Sequence, residues 1–255
     1  MMKENDSTRG SSITRVLEII EAVAQAERPR SPHDLIQDLG IPKPSLHRLL
    51  QLLESEGFIQ IDLQGGLVPG ARAQRMSINI WQNKRFKADR EAILTGLSAK
   101  VGETCGISIP HGNVMAYSDR VQTNWPLQVY LPVGAQVPLY CTAGGKLYLS
   151  TLTSAGRKRQ VENITLTRMT QNTITEADVL LADIKATEKR GYGIDNQEFI
   201  AGLVGFAVPI NDKSGRFLGA LLTHAPIIRK SLEELLEFLP DLQQAAKEIE
   251  ALLES

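Results

Sequence analysis

Four histidines, two cysteines and a spread of carboxylates are the side chains from which this chain could build catalysis or metal binding. His33, His47, His111 and His224 lie far apart, without the HxH or HxxxH spacing that gathers imidazoles on one metal. Cys105 and Cys141 form no CxxC pair and are too few for a disulfide framework. Cys141 could serve as a nucleophile, with His111 or His224 as its base and Asp195 as the orienting group. Chains of this size nearly all contain such residues, and no nucleophile elbow of the GxSxG kind accompanies them here. The sequence therefore assigns no catalytic residue, no metal and no cofactor.

A second group carries more specific chemistry. Gly40-Ile41-Pro42-Lys43-Pro44-Ser45 leads into a run where Leu46, Leu49, Leu50 and Leu53 recur at i, i+3, i+4 and i+7, the stripe of a helix buried on one side. Lys43, Ser45, His47 and Arg48 stand at the start of that run, and Arg48 and Gln51 fall away from the stripe. Arginine pairs bidentately with guanine, and serine bonds to phosphate or a base edge. The free N–H groups of a helix start also attract phosphate. Pro42 and Pro44 leave the approach to the helix few conformations to freeze on binding. With Arg30 and Ser31 just upstream, the DNA-facing candidates are Arg30, Ser31, Lys43, Pro44, Ser45, His47, Arg48 and Gln51. The same spacing also suits a helical bundle that contacts protein and keeps its basic residues solvated.

A third group is Thr142-Ala143-Gly144-Gly145-Lys146, small residues opening a helix. Exposed N–H groups and the positive end of the helix dipole suit a carboxylate there, and small side chains let a ligand come close to the backbone. A plain strand-to-helix turn with glycines for packing reads the same.

The elements that must position these groups follow from periodicity. At 255 residues, with 42% hydrophobic and 22% charged residues, the chain suits two globular domains. No run approaches the roughly eighteen apolar residues of a membrane span. The polar start Met1-Met2-Lys3-Glu4-Asn5-Asp6-Ser7 has no secretion-signal core, so a cytoplasmic protein without membrane contact is expected. The formal net charge of −1 excludes a simple basic nucleic-acid coat but not a basic face on one domain. Ile13, Val16, Leu17, Ile20 and Ala24 predict a first helix capped by Ser11 or Ser12. Ser31-Pro32 opens a second, which Gly40 ends, and the leucine run is the third. Residues 58–63 alternate like a strand, Gln64-Gly65-Gly66 is a turn, and Leu67-Val68 returns, giving a winged helix-turn-helix. Helices follow over 71–83 and 86–100, with Trp81 and Phe86 suited to a subunit interface. Strands are predicted at 104–109, 113–121, 127–133, 192–198, 203–210 and 217–224. Helices are predicted at 142–152 and 175–190, with a last one from Ser231 nearly to the end. This order predicts an α+β fold with a mainly antiparallel sheet. The boundaries are a disordered tail at 1–10, the winged domain at 11–70, a helical linker at 71–85 and a ligand domain at 86–255.

Gly40-Ile41-Pro42-Lys43-Pro44-Ser45-Leu46-His47-Arg48-Leu49-Leu50, continued by Glu54-Ser55-Glu56-Gly57-Phe58-Ile59, resembles the recognition-helix signature of IclR-type bacterial transcription regulators. Pro138-Leu139-Tyr140-Cys141-Thr142-Ala143-Gly144-Gly145-Lys146 is similar to that family's effector-loop motif. Asn172-Thr173-Ile174-Thr175, Lys189-Arg190-Gly191-Tyr192, Asp195, Glu198 and Gly202 recur in it at similar spacing. The likeness covers residues 12–253. It implies an N-terminal winged helix-turn-helix and a C-terminal effector domain of GAF-like fold. It also implies a homodimer or tetramer, repressors included, on a palindromic operator in double-stranded DNA.

The resemblance further implies one effector cavity for a small carboxylic acid. Ala143 and Gly144 would give backbone donors beside Thr142, Asp195 would meet a hydroxyl or hydrated carbonyl, and Val129, Val137 and Leu203 would form the apolar wall. Gly205 stands where many relatives have cysteine, and Leu222 and His224 where many have serines. These departures predict a roomier pocket for a larger acid, with His224, if cationic, pairing with the carboxylate. The wing carries no basic residue at Val68, so Arg72 and Arg75 are the expected substitutes for its phosphate contacts.

Overall fold

The computed structural model describes residues 12–26, 28–81, 83–126 and 129–254, apart from the side chains at 78, 81, 84, 85 and 254. The expectations for the 1–10 tail, for Ser11 as a cap and for the Trp81 side chain lie outside the described residues. The chain divides into two compact units between Asn83 and Lys84.

The first unit begins with α1 (Ser12–Ala24). Its buried seam is Val16, Ile19, Ile20 and Val23, again i, i+3, i+4, i+7, and Ile13 and Leu17 are 72% and 53% exposed. The sequence stripe was therefore drawn one face off: α1 is apolar on more than one side, and packing selects the 16-19-20-23 side. Next, α2 (Pro32–Leu39) starts on a capping box. The Ser31 hydroxyl accepts the Asp34 N–H at 3.1 Å, and Asp34 accepts the Ser31 N–H at 3.0 Å. It stops at Gly40, whose φ of 61° is left-handed. Then α3 (Lys43–Ser55) buries Leu46, Leu49, Leu50 and Leu53. The wing is the antiparallel pair β1 (Ile59–Ile61) and β2 (Leu67–Pro69), with Gln60 opposite Val68. Its turn is fixed by Asp62, whose Oδ1 accepts the Gln64 and Gly66 amides at 2.8 and 2.7 Å. Arg30 bridges to Leu67 and extends the hairpin by one rung. The unit closes with α4 (Ala71–Trp81).

The second unit starts with α5 (Lys84–Val101) and is built on a six-stranded antiparallel sheet of order β5-β4-β3-β8-β7-β6. Its strands are β3 (Thr104–His111), β4 (Val114–Val121), β5 (Gln136–Pro138), β6 (Gly193–Asn196), β7 (Leu203–Asn211) and β8 (Phe217–Pro226). The helices α6 (Ala143–Thr151), α7 (Ser154–Glu162) and α8 (Ala177–Arg190) share a core with Met115, Tyr117, Ala207, Ala220 and Leu222 of the sheet. In addition, α10 (Leu239–Glu254) packs on α5 and β7. A bulge shifts the β3–β4 register between Ile107 and Ser108.

Three elements differ from the sequence expectation. Residues 129–133 form no strand, while 127 and 128 lie outside the described residues. The carbonyls of Val129 and Leu131 each accept the Arg120 guanidinium at 2.7 Å instead of a neighbouring strand, and the pairing passes to Gln136–Pro138. The unforeseen α7 has no apolar stripe to read. Thr153 caps it, and Arg157 ties it to the Leu149 and Ser150 carbonyls at the end of α6. The last helix is broken: Ser231 caps the short α9 (Leu232–Leu236), and α10 starts afresh where Pro240 cannot continue the ladder.

Candidate functional site

In the first unit, α3 separates its residues by face. Lys43, Pro44, His47, Arg48 and Gln51 are exposed and Ser45 is half-buried, while the leucines point into the core. Among the described residues no hydrogen bond or ion pair holds Lys43, His47 or Arg48, so these groups are available to a partner. Arg30 and Ser31 stand apart from this set. The Arg30 guanidinium pairs with Asp38, and the Ser31 hydroxyl is engaged in the α2 cap. Arg72 is committed as well: it pairs with Glu56 and lies 4.6 Å from the centre of the Phe58 ring. Arg75 is exposed.

In the second unit, a cavity of about 30 Å³ lies between the sheet and the start of α6. Of the residues singled out in the sequence, Val137, Thr142, Ala143, Gly144, Asp195, Leu203, Gly205, Leu222 and His224 line it together. Val129 is not among its lining residues; only the Val129 carbonyl is engaged, by Arg120. Ser108, Tyr117, Leu131, Phe199 and Thr223 complete the wall and were not singled out. Their signal was weak, because each reads as an ordinary strand or loop residue.

The first turn of α6 forms one side of the cavity. Thr142 is the N-cap: its hydroxyl accepts the Gly145 N–H at 3.3 Å and donates to the Pro138 carbonyl at 2.6 Å. The Ala143 and Gly144 amides are first-turn donors, which a helix leaves without intrahelical partners. Small residues are required here. A Cβ on Gly145 would sit 2.3 Å from the Leu139 carbonyl oxygen, and one on Gly144 would sit 2.9 Å from Ser108 Oγ.

Two charge groups flank this turn. Lys146 is 1% exposed, and its ammonium reaches Asp183 at 2.9 Å and Glu198 at 2.5 Å. Asp195 Oδ1 accepts the Glu198 and Phe199 amides at 2.8 and 3.4 Å. Burial pushes the Asp195 carboxyl up to about 7, the Glu198 amide bond opposing and the Glu198 charge reinforcing the rise. Burial also raises Glu198, against the pull of Lys146.

His224 departs from its expectation as a cation. Burial, then the Arg120 and Arg229 guanidiniums, push its pKa down to about 3, so the ring is neutral. Arg120 Nη2 lies 3.3 Å from His224 Nε2 and can only donate, which leaves the ring proton on Nδ1. A Cβ on Gly205 would lie 2.9 Å from the Thr223 carbonyl oxygen and 3.0 Å from His224 Cβ, so the close approach of β7 to β8 calls for glycine here. Arg120 escaped the sequence reading because a lone arginine in an alternating strand reads as solvated.

Cys141 is no activated nucleophile. Burial, then the Asp195 and Glu198 charges, push its thiol up to about 12. Among the described residues no group of three metal-ligating side chains gathers, and no helix is long and apolar enough to cross a membrane.

Comparison with known proteins gives two family matches. The profile described as IclR helix-turn-helix domain matches residues 12–62, and that of the bacterial transcriptional regulator IclR C-terminal matches residues 81–251. A curated relative from Cupriavidus necator, "Probable transcriptional regulator SauR", is 35% identical over 240 residues, covering 94% of this chain and 95% of its own. The "Transcriptional repressor IclR" of Escherichia coli is 28% identical, covering 93% of this chain and 88% of its own. A crystal structure of an IclR homolog complexed with 4-hydroxybenzoate, from Microbacterium hydrocarbonoxydans, superposes with a TM-score of 0.61 at 19% identity. It covers 96% of this chain and 99% of that one.

Proposed function

The chain belongs to the IclR family of bacterial transcriptional regulators, which bind DNA through a helix-turn-helix and a small molecule through the C-terminal domain, and on that premise we propose that its effector is a carboxylic acid seated at the start of α6. The chain is a regulator rather than an enzyme. One observation carries the effector reading: the first turn of α6, Asp195 and His224 converge on one buried cavity. The acid group takes the Ala143 and Gly144 amides at the positive end of the α6 dipole. Neutral His224 offers an N–H donor, and Asp195, easily protonated, faces a hydroxyl of the same ligand. Val137, Leu203 and Leu222 enclose its apolar part. With about 30 Å³ open, an acid that binds this domain more tightly when the walls stand further apart would shift its conformation.

Residues 11–70 then form the reading head, 71–85 the linker and 86–255 the effector domain. Two copies place their α3 helices about one DNA turn, roughly 34 Å, apart on a palindromic operator. Met76 and Ile80, four residues apart on α4 and 52% and 54% exposed, suit contact between copies in a dimer or tetramer. Lys43, Pro44, Ser45, His47, Arg48 and Gln51 face the duplex, with Arg30 and Ser31 at its edge. The test is a gel shift on the duplex upstream of the gene, titrated with a panel of acids that includes 4-hydroxybenzoate. The reading requires a shifted band that at least one acid, but not its amide, weakens or strengthens. A duplex never shifted, or a shift indifferent to every acid, refutes it.

A further inference from the structure

Ser108 is the residue around the cavity with the least explained side chain. It is 1% exposed, and its hydroxyl has no hydrogen-bond partner among the described residues. An unsatisfied buried hydroxyl is destabilising, so its presence asks for a partner that arrives later. The hydroxyl belongs to the cavity wall and sits against the first turn of α6, 2.9 Å from where a Gly144 Cβ would be. The β3–β4 bulge lies immediately before it, a device that re-aims a strand side chain. Gly144, in the first turn of α6 and also in the cavity lining, has an amide without an intrahelical partner. Hydroxyl and amide thus border the same cavity, and only a glycine at 144 leaves the hydroxyl uncovered on that side.

We infer that Ser108 is an effector-binding residue whose O–H and the Gly144 N–H together hold one oxygen of an incoming carboxylate. The inference rests on the carboxylate reading of the cavity and adds a side chain from β3, on the far side of the helix turn, to the acid's grip. Two donors on one oxygen select an anion over a neutral amide or alcohol, since hydrogen bonds to a charged acceptor are the stronger ones.

The test uses the full-length protein and calorimetric titration with glyoxylate, lactate and 4-hydroxybenzoate, with lactamide and 4-hydroxybenzamide as neutral controls. The wild type takes up at least one acid and not its amide. Ser108→Ala weakens that acid about tenfold or more, the loss of one hydrogen bond to a charged group. Without ligand, Ser108→Ala melts at the same or a higher temperature, because the hydroxyl it removes has no protein partner. Gly144→Ala loses the acid as well, and Gly144→Ala combined with Ser108→Ala does not recover it although the conflict with the hydroxyl is gone and only the 3.3 Å approach to Ala220 Cβ remains. Equal affinity in Ser108→Ala, or recovery in the double variant, overturns the Ser108 assignment and leaves the carboxylate reading standing. Failure of the wild type to bind any of the acids overturns both.

Discussion

His224 on β8 and Asp195 on β6 face the same cavity with β7 between them, and burial moves their pKa values in opposite directions. For His224 the folded value, about 3, lies below the unfolded one near 6.5. The unfolded chain therefore binds more protons between those values. The stability this histidine contributes is complete above about 6.5 and is lost as pH falls toward 3. For Asp195 the folded value, about 7, lies above the ordinary 3.8. Here the folded chain holds the extra proton, so stability falls as pH rises from about 4 to about 7. Asp195→Asn, which keeps the shape and the acceptor for the Glu198 amide, should flatten that fall. Melting temperatures of the two proteins should nearly coincide at pH 4 and separate at pH 8, with the variant higher. Parallel curves at every pH would mean that Asp195 is ionised throughout.

At the scale of the element, what could be read from the sequence depended on whether local chemistry or distant packing decides. The α2 start was legible because Ser31 and Asp34 sit three apart, and that spacing alone builds a capping box. Ser31→Ala should cost about 1 kcal/mol, read as a lower urea midpoint, while DNA affinity of the still-folded protein changes little. A large loss of affinity at unchanged stability would instead make Ser31 a DNA contact. The leucine stripe of α3 and the turn before it were legible for the same reason. The stretch after β4 was not. Val129 to Val133 has the composition of a strand, but a guanidinium from β4 takes its carbonyls, a pairing that no local pattern announces. Likewise α7 is held by its cap, by Arg157 beneath it and by the single buried Val161 rather than by an apolar stripe. At the cavity, the α6 turn and Asp195 were legible through the family motif. Ser108 and Arg120 were not, because their significance arises only where separate strands meet.

For the whole molecule, charge is a local matter. A net charge of −1 gives no general attraction to DNA, so affinity must come from the few cations exposed on α3 and, beside the wing, from Arg75. The wing adds none between Gln60 and Val68, and Arg72 is paired with Glu56. The number of phosphates neutralised is then small, and the decline of log K with log salt should be shallow for a protein of this size. Arg48→Ala should weaken operator binding by about 1–3 kcal/mol. A loss confined to the operator marks a base contact, and an equal loss on random duplex with a slope reduced by about one marks a phosphate contact. No change on either would remove Arg48 from the interface.

The packing of Gly205 against His224 has a consequence for descent. The two positions are paired across β7 and β8, and a side chain at 205 would meet the Cβ at 224 and the Thr223 carbonyl. Neither contact depends on the imidazole, so a lineage could gain a side chain at 205 only with a shift of these strands, whatever side chain stands at 224. A side chain gained at 205 should therefore come with changes elsewhere on β7 or β8 that widen their separation at this rung.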